Sequence, residues 1–444
     1  MNEKQLTFSG IDHLIRKRRA KAKTENHYVW SPGEQPPILS KHSIAKHKIL
    51  KAYLEKYVKI LTVNLAQEHL KLTLVDGFAG GGVYLHPDTK ERVTGSPLIM
   101  LNAMSAAEAA ANESRKKQFV LDVEYFFVEK LPPTIEFLRN ELHESKEARD
   151  QQERISILPG CFSDYLDVIL RRVEQRGRSR RVIFVLDQYG FSDVRISDLR
   201  TIFNRLPNAE VILTVAIDWL IDHWTESERY DKILANLGLN VESALIDLVK
   251  EANPSDWRPV IQHTLHDQFY RNSGAVHYTP FFIHSVEPHR AYWLLHFFGH
   301  SKARDVMTQL HWELENHFQH FGQPGFCMLG YDPRRDFEEL GHRMLTFGFD
   351  SFAAEDTRLA LLEELPRRIA LEKDPISFRS FFKRVVNETP ATKEMLGNVI
   401  STLTLEKELE VRTSEGKLRQ NGVRIHDDDV IVRPRQRLLL PPNS

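Results

Sequence analysis

The sequence predicts an α/β fold organised on a parallel sheet, and two observations carry that expectation. Residues 71 to 101 run from the apolar Leu72, Leu74 and Val75 into Asp76 and at once into Gly77, Gly80, Gly81 and Gly82. Such an order is a buried strand ending in a tight turn, because glycine lets the backbone take positive φ and approach a ligand without a Cβ clash. The second observation is recurrence. Further β-prone runs end in an acid at Glu129 and at Asp187, with stretches of helical spacing between them. A strand, a glycine turn and a helix make a cofactor cradle at the carboxyl edge of a parallel sheet.

The 444 residues are enough for one large sheet core and one or two smaller domains. Lys and Arg total 60 against 61 Asp and Glu, so net charge does not point to nucleic acid and only local clusters would. Two cysteines, Cys161 and Cys327, make neither a disulfide framework nor a zinc site and suggest a reducing compartment. With no amino-terminal apolar run and no apolar segment of membrane-spanning length, the expected setting is cytoplasmic, without a membrane partner.

Residues 1–40 are a mostly polar arm whose densest basic run is Arg16-Lys17-Arg18-Arg19, read as a solvated face or as a contact with phosphates. Pro32, Pro36 and Pro37 break the chain before a helix marked by Ile44, Ile49, Leu50, Tyr53, Leu54, Tyr57, Val58 and Leu61. Lys41, His42, Lys46 and His47 on it are read as facing solvent or the mouth of the active site. After the glycine turn, Ser96 is placed to cap and Pro97 to open the next helix.

A second strand, Val123 to Val128, ends at Glu129, and Pro132-Pro133 opens the helix after it. A third, Ile155 to Leu158, turns through Gly160, where Cys161 is read as a small buried residue, Phe162 as the lining of an apolar adenine slot and Asp164 as a helix cap. The fourth, Val182 to Leu186, ends at Asp187-Gln188-Tyr189-Gly190, which puts a carboxylate, an amide and an aromatic at the edge that carries the glycine turn. Arg171, Arg172, Arg176, Arg178, Arg180 and Arg181 just before it are read as an exposed connection or as a phosphate clamp. A fifth strand spans Val211 to Ile217, a mainly helical insertion 222–275, and a closing pair Phe281 to Ile283 and Ala291 to Leu295. His284 and His289 lack a second ligand pair, so no metal site is expected.

Beyond residue 320, helices and then short strands around Val411 and Val430 to Val432 form a winged-helix-like module that suits nucleic acid or a protein partner. Arg412, Lys417, Arg419, Arg424, Arg433, Arg435 and Arg437 keep the first role open. The expected division is an arm, 1–40, a sheet domain, 41–320, and a carboxyl-terminal region, 321–444.

The run Asp76-Gly77-Phe78-Ala79-Gly80-Gly81-Gly82 resembles the first motif of class I S-adenosylmethionine-dependent methyltransferases. The chain as a whole resembles the three-Cys-motif partner protein family, TcmP, on SIAKHKILKAYLEKY, VDGFAGGG, GSPL, VLDQYGFSDV and AYWLLHFF, which together cover about residues 40–315. The resemblance implies a Rossmann-like methyltransferase sheet that binds S-adenosyl-L-methionine. Asp76, Gly77, Phe78, Ala79, Gly80, Gly82 and Phe162 would line its site, and Glu129 would bind the ribose hydroxyls. It also implies a separate, radical-enzyme-like protein with three cysteines as partner, since Cys161 and Cys327 do not supply that motif. Asp187, with Gln188 and Tyr189, stands where enzymes that methylate nucleic-acid amines carry an acid followed by proline and an aromatic. Here glutamine replaces the proline.

Two functions follow. One is methyl transfer to an exocyclic amine of a DNA or RNA base, with Asp187 accepting the amine's hydrogen bond and Tyr189 stacking on an extruded base. The other is a non-catalytic or regulatory partner whose methyltransferase-like sheet is retained as architecture. The oligomeric state is left open by the sequence.

Overall fold

In the computed structural model, which describes residues 28–177, 180–188, 193–215, 234–235, 237–239, 257–284, 291–314, 318–321, 324–326, 346–347, 349–372, 375–420 and 422–434, helices and strands alternate through the first three quarters of the chain. In chain order they are α1 (Lys41–Leu61), β1 (His69–Asp76), β2 (Val83–Leu85), β3 (Arg92–Thr94), α2 (Ser96–Asn112), β4 (Val120–Glu129) and α3 (Pro132–Glu144). Next come β5 (Ile155–Pro159), α4 (Phe162–Gln175), β6 (Val182–Asp187), α5 (Ile196–Arg205) and β7 (Glu210–Val215). The series ends with α6 (Trp257–Ser273), β8 (His277–His284), β9 (Ala291–Phe298), α7 (Ser301–Leu314), β10 (Phe318–Phe321) and β11 (Thr346–Phe347).

Nine strands make one sheet in the order β11-β10-β8-β9-β7-β6-β1-β4-β5. From β5 to β7 every pairing is parallel, whereas β9 runs antiparallel between β7 and β8. The sequence anticipates the closing pair β8 and β9 but not β10 and β11, which add an antiparallel margin beyond it. A row of unpaired amides and carbonyls along β8 would otherwise be left at the sheet edge.

Strand side chains alternate between faces, and this sheet is covered on both. On β6, Val182, Phe184 and Leu186 pack with α4, α5 and α6, while Ile183 and Val185 pack with α1, α2, α3 and α7. The helix α2 starts one residue before the expected position, with Gly95 rather than Ser96 at its cap. Of the insertion expected at 222–275, the described parts are α6 and a few residues around Leu237; Tyr189, Gly190, Cys327 and residues 1–27 lie outside the described residues.

The carboxyl-terminal module consists of α8 (Ser351–Leu371), β12 (Ile376–Ser377), α9 (Phe378–Val385), α10 (Lys393–Leu405), β13 (Glu410–Arg412) and β14 (Val430–Val432). Its small antiparallel sheet has the order β12-β14-β13 over a core that includes Leu361, Phe381, Leu396, Ile400 and Ile431. The fully buried Arg304 of α7 holds it to the sheet domain, donating to the carbonyls of Ala391 (2.8 Å) and Thr389. Asp305 Oδ1 accepts from the Lys393 amide at 2.8 Å, and Trp312 Nε1 donates to Pro390 O at 2.9 Å. The segment leading into α10 is therefore packed against α7.

Many of the cations singled out in the sequence are paired within the chain. Arg171 meets Asp167, Arg172 meets Glu124 and Arg176 meets Asp122, while Arg412, Lys417 and Arg419 meet Glu410, Glu415 and Asp429.

Candidate active site

The carboxyl ends of β1, β4 and β6 bring Asp76, Glu129 and Asp187 to one edge, because Asp76 is in register with Phe127 of β4 and Val185 of β6. The turn after β1 is tied to both neighbours: the Gly77 amide donates to Val185 O and the Ala79 amide to Val128 O, each at 2.9 Å. Gly80 has φ +59°, a conformation that L side chains rarely adopt. Gly81 is small for another reason. A Cβ there would lie 2.3 Å from the ring of Trp30, whose indole N–H donates to Val83 O at 2.7 Å.

Trp30 belongs to residues 28–40, which the sequence places with the polar arm. They are instead packed against the site. Leu39 and Pro37 pair with Leu85 of β2, and the Ser40 amide donates to the Tyr28 hydroxyl at 3.1 Å. Beside the glycine turn Tyr84 meets Trp30 and Tyr28 edge to face, with centroids 5.1 and 5.2 Å apart, while Tyr28 and Trp30 are tilted to each other at 5.8 Å.

Asp76 is fully buried; Oδ1 accepts from the Phe78 amide at 3.1 Å, and Oδ2 has no hydrogen-bond partner among the described residues. Burial pushes its carboxyl up to about 7, against the Ser96 side chain and the Phe78 amide, which pull it down. Between the unfolded and folded pKa the native state holds a proton that the unfolded chain releases. The contribution to stability is thus present at acid pH and lost as pH rises through about 7. Asp76→Asn is expected to flatten that decline, as urea unfolding of both proteins at about pH 5 and about pH 9 would reveal.

Glu129 closes the turn from the side. Its Oε2 accepts from the Gly80 amide at 3.1 Å, and its Oε1 from the amides of Lys130 and Leu131 at 2.8 and 2.9 Å. Phe162 is 1 % exposed, edge-on to Phe184 and directly under Gly77, so it forms the floor of the turn instead of an open slot. Phe78 is half-buried against the same core, and Ala79 is buried. Cys161 corrects the sequence expectation: it is exposed, because it caps α4 outside the sheet and its amide donates to Asp164 Oδ2 at 3.3 Å.

Asp187 is grasped by Lys46, one of the α1 residues read as facing either solvent or the mouth of the site. Lys46 Nζ lies 2.6 Å from each carboxylate oxygen, and the lysine side chain is only 10 % exposed. Burial alone would raise the Asp187 pKa; the Lys46 ammonium and hydrogen bonds from Lys46 and Thr214 outweigh it and hold the carboxyl below its ordinary value. His47 is drawn down to about 4 by burial and then by Lys46, with Asp187 opposing, so it is neutral at pH 7. A hollow of about 30 Å³ lies here, lined by Lys46, His47, Ser96, Val185, Asp187 and Thr214 among others.

The neighbour Gln188 is buried, its Oε1 accepting from the amides of Asp193 and Val194 at 2.9 and 3.1 Å. Its acceptor oxygen thus holds the amides of Asp193 and Val194. The signal that could have found Lys46 is its register. It falls with Ser43, Leu50 and Tyr53 on the buried stripe of α1, where an unpaired lysine would be costly.

The seven strands from β8 to β5, with the last in chain order reversed and inserted beside the fifth, a glycine turn after the first and acids after the first, second and fourth, define a protein resembling class I methyltransferases. No family model matches the chain, and no curated protein matches it. Solved structures similar to it include a Legionella pneumophila protein described by the family model DUF519, with 12 % identity, a TM-score of 0.34 and coverage of 59 % of this chain and 90 % of that one. A putative S-adenosyl-L-methionine-dependent methyltransferase of Methanococcus maripaludis has 13 % identity, a TM-score of 0.23 and coverage of 57 % and 88 %. A putative methyltransferase of Thermobifida fusca has 12 %, 0.24, 57 % and 81 %.

Proposed function

We propose that this chain is an S-adenosylmethionine-dependent methyltransferase acting on an exocyclic amine of a nucleic-acid base. The observation that supports this reading is the gathering of Asp76, the glycine turn, Glu129 and Asp187 on one sheet edge. The residues suit the donor. Asp76 offers a buried oxygen without a partner to its ammonium, Gly80 brings bare backbone close, and Glu129 offers acceptors to its ribose hydroxyls. The donor supplies a sulfonium-activated methyl group, so the protein's share is positioning and electrostatics. Asp187 would orient the amine by accepting its N–H, and the acceptor would share or displace the hold of Lys46.

Calorimetry with S-adenosylmethionine, followed by labelled-methyl transfer to mixed DNA and RNA, tests the proposal. Absence of transfer despite donor binding would overturn the enzyme reading. Glu129→Gln removes one charged acceptor, so donor affinity is expected to fall roughly tenfold, with a small fall in Tm because one of the two oxygens that hold backbone amides is replaced by a donor. Equal affinities in the two proteins would remove Glu129 from the ribose site.

A second reading is favoured by the closed hand of Lys46 on Asp187 and by the ion-paired cations of the winged-helix-like module. In it the chain is a regulatory partner of a three-cysteine-motif protein. Copurification with such a protein, without donor binding, would select it.

A further inference from the structure

Tyr84 stands between the glycine cradle and the Lys46–Asp187 pair. It lies on β2, with Trp30 at 5.1 Å and Tyr28 at 5.2 Å, both edge-on, and with His47 on the acid's side at 5.8 Å. A Cβ on Gly95 would meet the ring at 2.9 Å, so that glycine leaves room for it and the ring is held from several directions. Other tyrosine hydroxyls nearby are engaged: that of Tyr28 accepts from Ser40, and that of Tyr165 donates to Pro159 O. The hydroxyl of Tyr84 makes no hydrogen bond to any described residue, although the ring is half-buried. An O–H fixed by its ring and left without an acceptor is a preorganised donor.

The surroundings also decide which form the phenol takes. Burial, then Tyr28 and the carboxylates of Asp187, Asp76 and Glu129, hold it protonated far above the ordinary tyrosine range. It is therefore a hydrogen-bond donor at neutral pH and not a base.

We propose that Tyr84 is an acceptor-positioning residue and that the substrate amine belongs to a planar H2N–C=N unit. The Tyr84 hydroxyl donates to the ring nitrogen while Asp187 accepts from the neighbouring amine. The inference rests on the base-amine reading and adds to it a contact with the ring nitrogen beside the amine, N1 of adenine or N3 of cytosine. In the reaction the N–C bond forms as the donor's S–CH3 bond breaks and the electron pair stays on sulfur. The surplus amine proton leaves past Asp187 to water.

The test combines Tyr84→Phe with substrates that lack the ring nitrogen. Single-turnover transfer from saturating S-adenosylmethionine is measured on short single-stranded DNA and RNA carrying adenine, cytosine or 1-deazaadenine. Tyr84→Phe is expected to lower transfer to adenine or cytosine about tenfold, the scale of one lost hydrogen bond, with donor affinity and Tm unchanged. The wild type should lose a similar factor on 1-deazaadenine relative to adenine, and Tyr84→Phe should lose nothing more. Unchanged transfer by the variant overturns the proposal, as does a loss confined to donor affinity or a full deaza penalty persisting in the variant. In each of these cases wild-type transfer leaves the base-amine reading standing. A wild type that binds donor and methylates none of the three bases overturns the proposal, and labelled-methyl transfer to mixed DNA and RNA, which also offers the guanine amine, decides the base-amine reading.

Discussion

Asp187→Asn is expected to cut single-turnover methyl transfer by at least about 100-fold while leaving donor affinity within a few-fold, because the lost group acts on the acceptor. Asparagine keeps the shape but replaces one acceptor oxygen with a donor that opposes the amine's N–H. It also strands Lys46, whose ammonium now has both carboxylate oxygens at 2.6 Å and little solvent. Thermal stability should therefore fall too, since removing one member of a largely buried pair leaves the other charge uncompensated. The double variant Lys46→Met with Asp187→Asn separates the two effects. Replacing both ends of the pair should recover much of the Tm without recovering transfer. If transfer returned with Tm, Asp187 would be a structural residue and the proposed chemistry would fall.

The largest loss of stability is expected from Arg304→Met. Methionine retains much of the aliphatic length, yet the carbonyls of Ala391 and Thr389 lose their donor in a buried place. At about 1–3 kcal/mol for each buried group left unsatisfied, the expected cost is roughly 3 kcal/mol or more. It should fall mainly on the junction, so chemical denaturation followed by more than one probe ought to lose its single transition as the carboxyl-terminal module loosens first. A midpoint and slope equal to those of the wild type would show that the surface around Arg304 holds the modules together without it.

The parts of the site legible in the sequence are the ones made by single strands. Asp76, Glu129 and Asp187 each follow an apolar run, and a parallel sheet aligns the ends of such runs without further information. Lys46 was legible only in part. Its place on the buried stripe of α1 marks it as paired, but its partner is 141 residues away and no local pattern names it. The packing of residues 28–40 was hidden for a similar reason, since Pro37 and Leu39 pair with a three-residue strand that itself exists only as a hairpin. Cys161 misled because residue type was weighed above position, and the loop contact of Gln188 had no local pattern to announce it. A cysteine at a helix cap faces outward, and a glutamine beside a loop can satisfy two of its amides.

The seat of Trp30 on Gly81 makes these two positions a compensating pair. Any side chain at 81 must enter a space where the indole already lies 2.3 Å from an ideal Cβ, so even alanine there forces the aromatic ring or the turn to move. A smaller residue at 30 would admit it, and in doing so would leave Val83 O without the indole donor. Substitutions at the two sites should thus be strongly non-additive, each harmful alone and milder together. Sequences that diverge from this one are expected to exchange bulk between the strap and the glycine turn, a trade that single-site tolerance scans would miss.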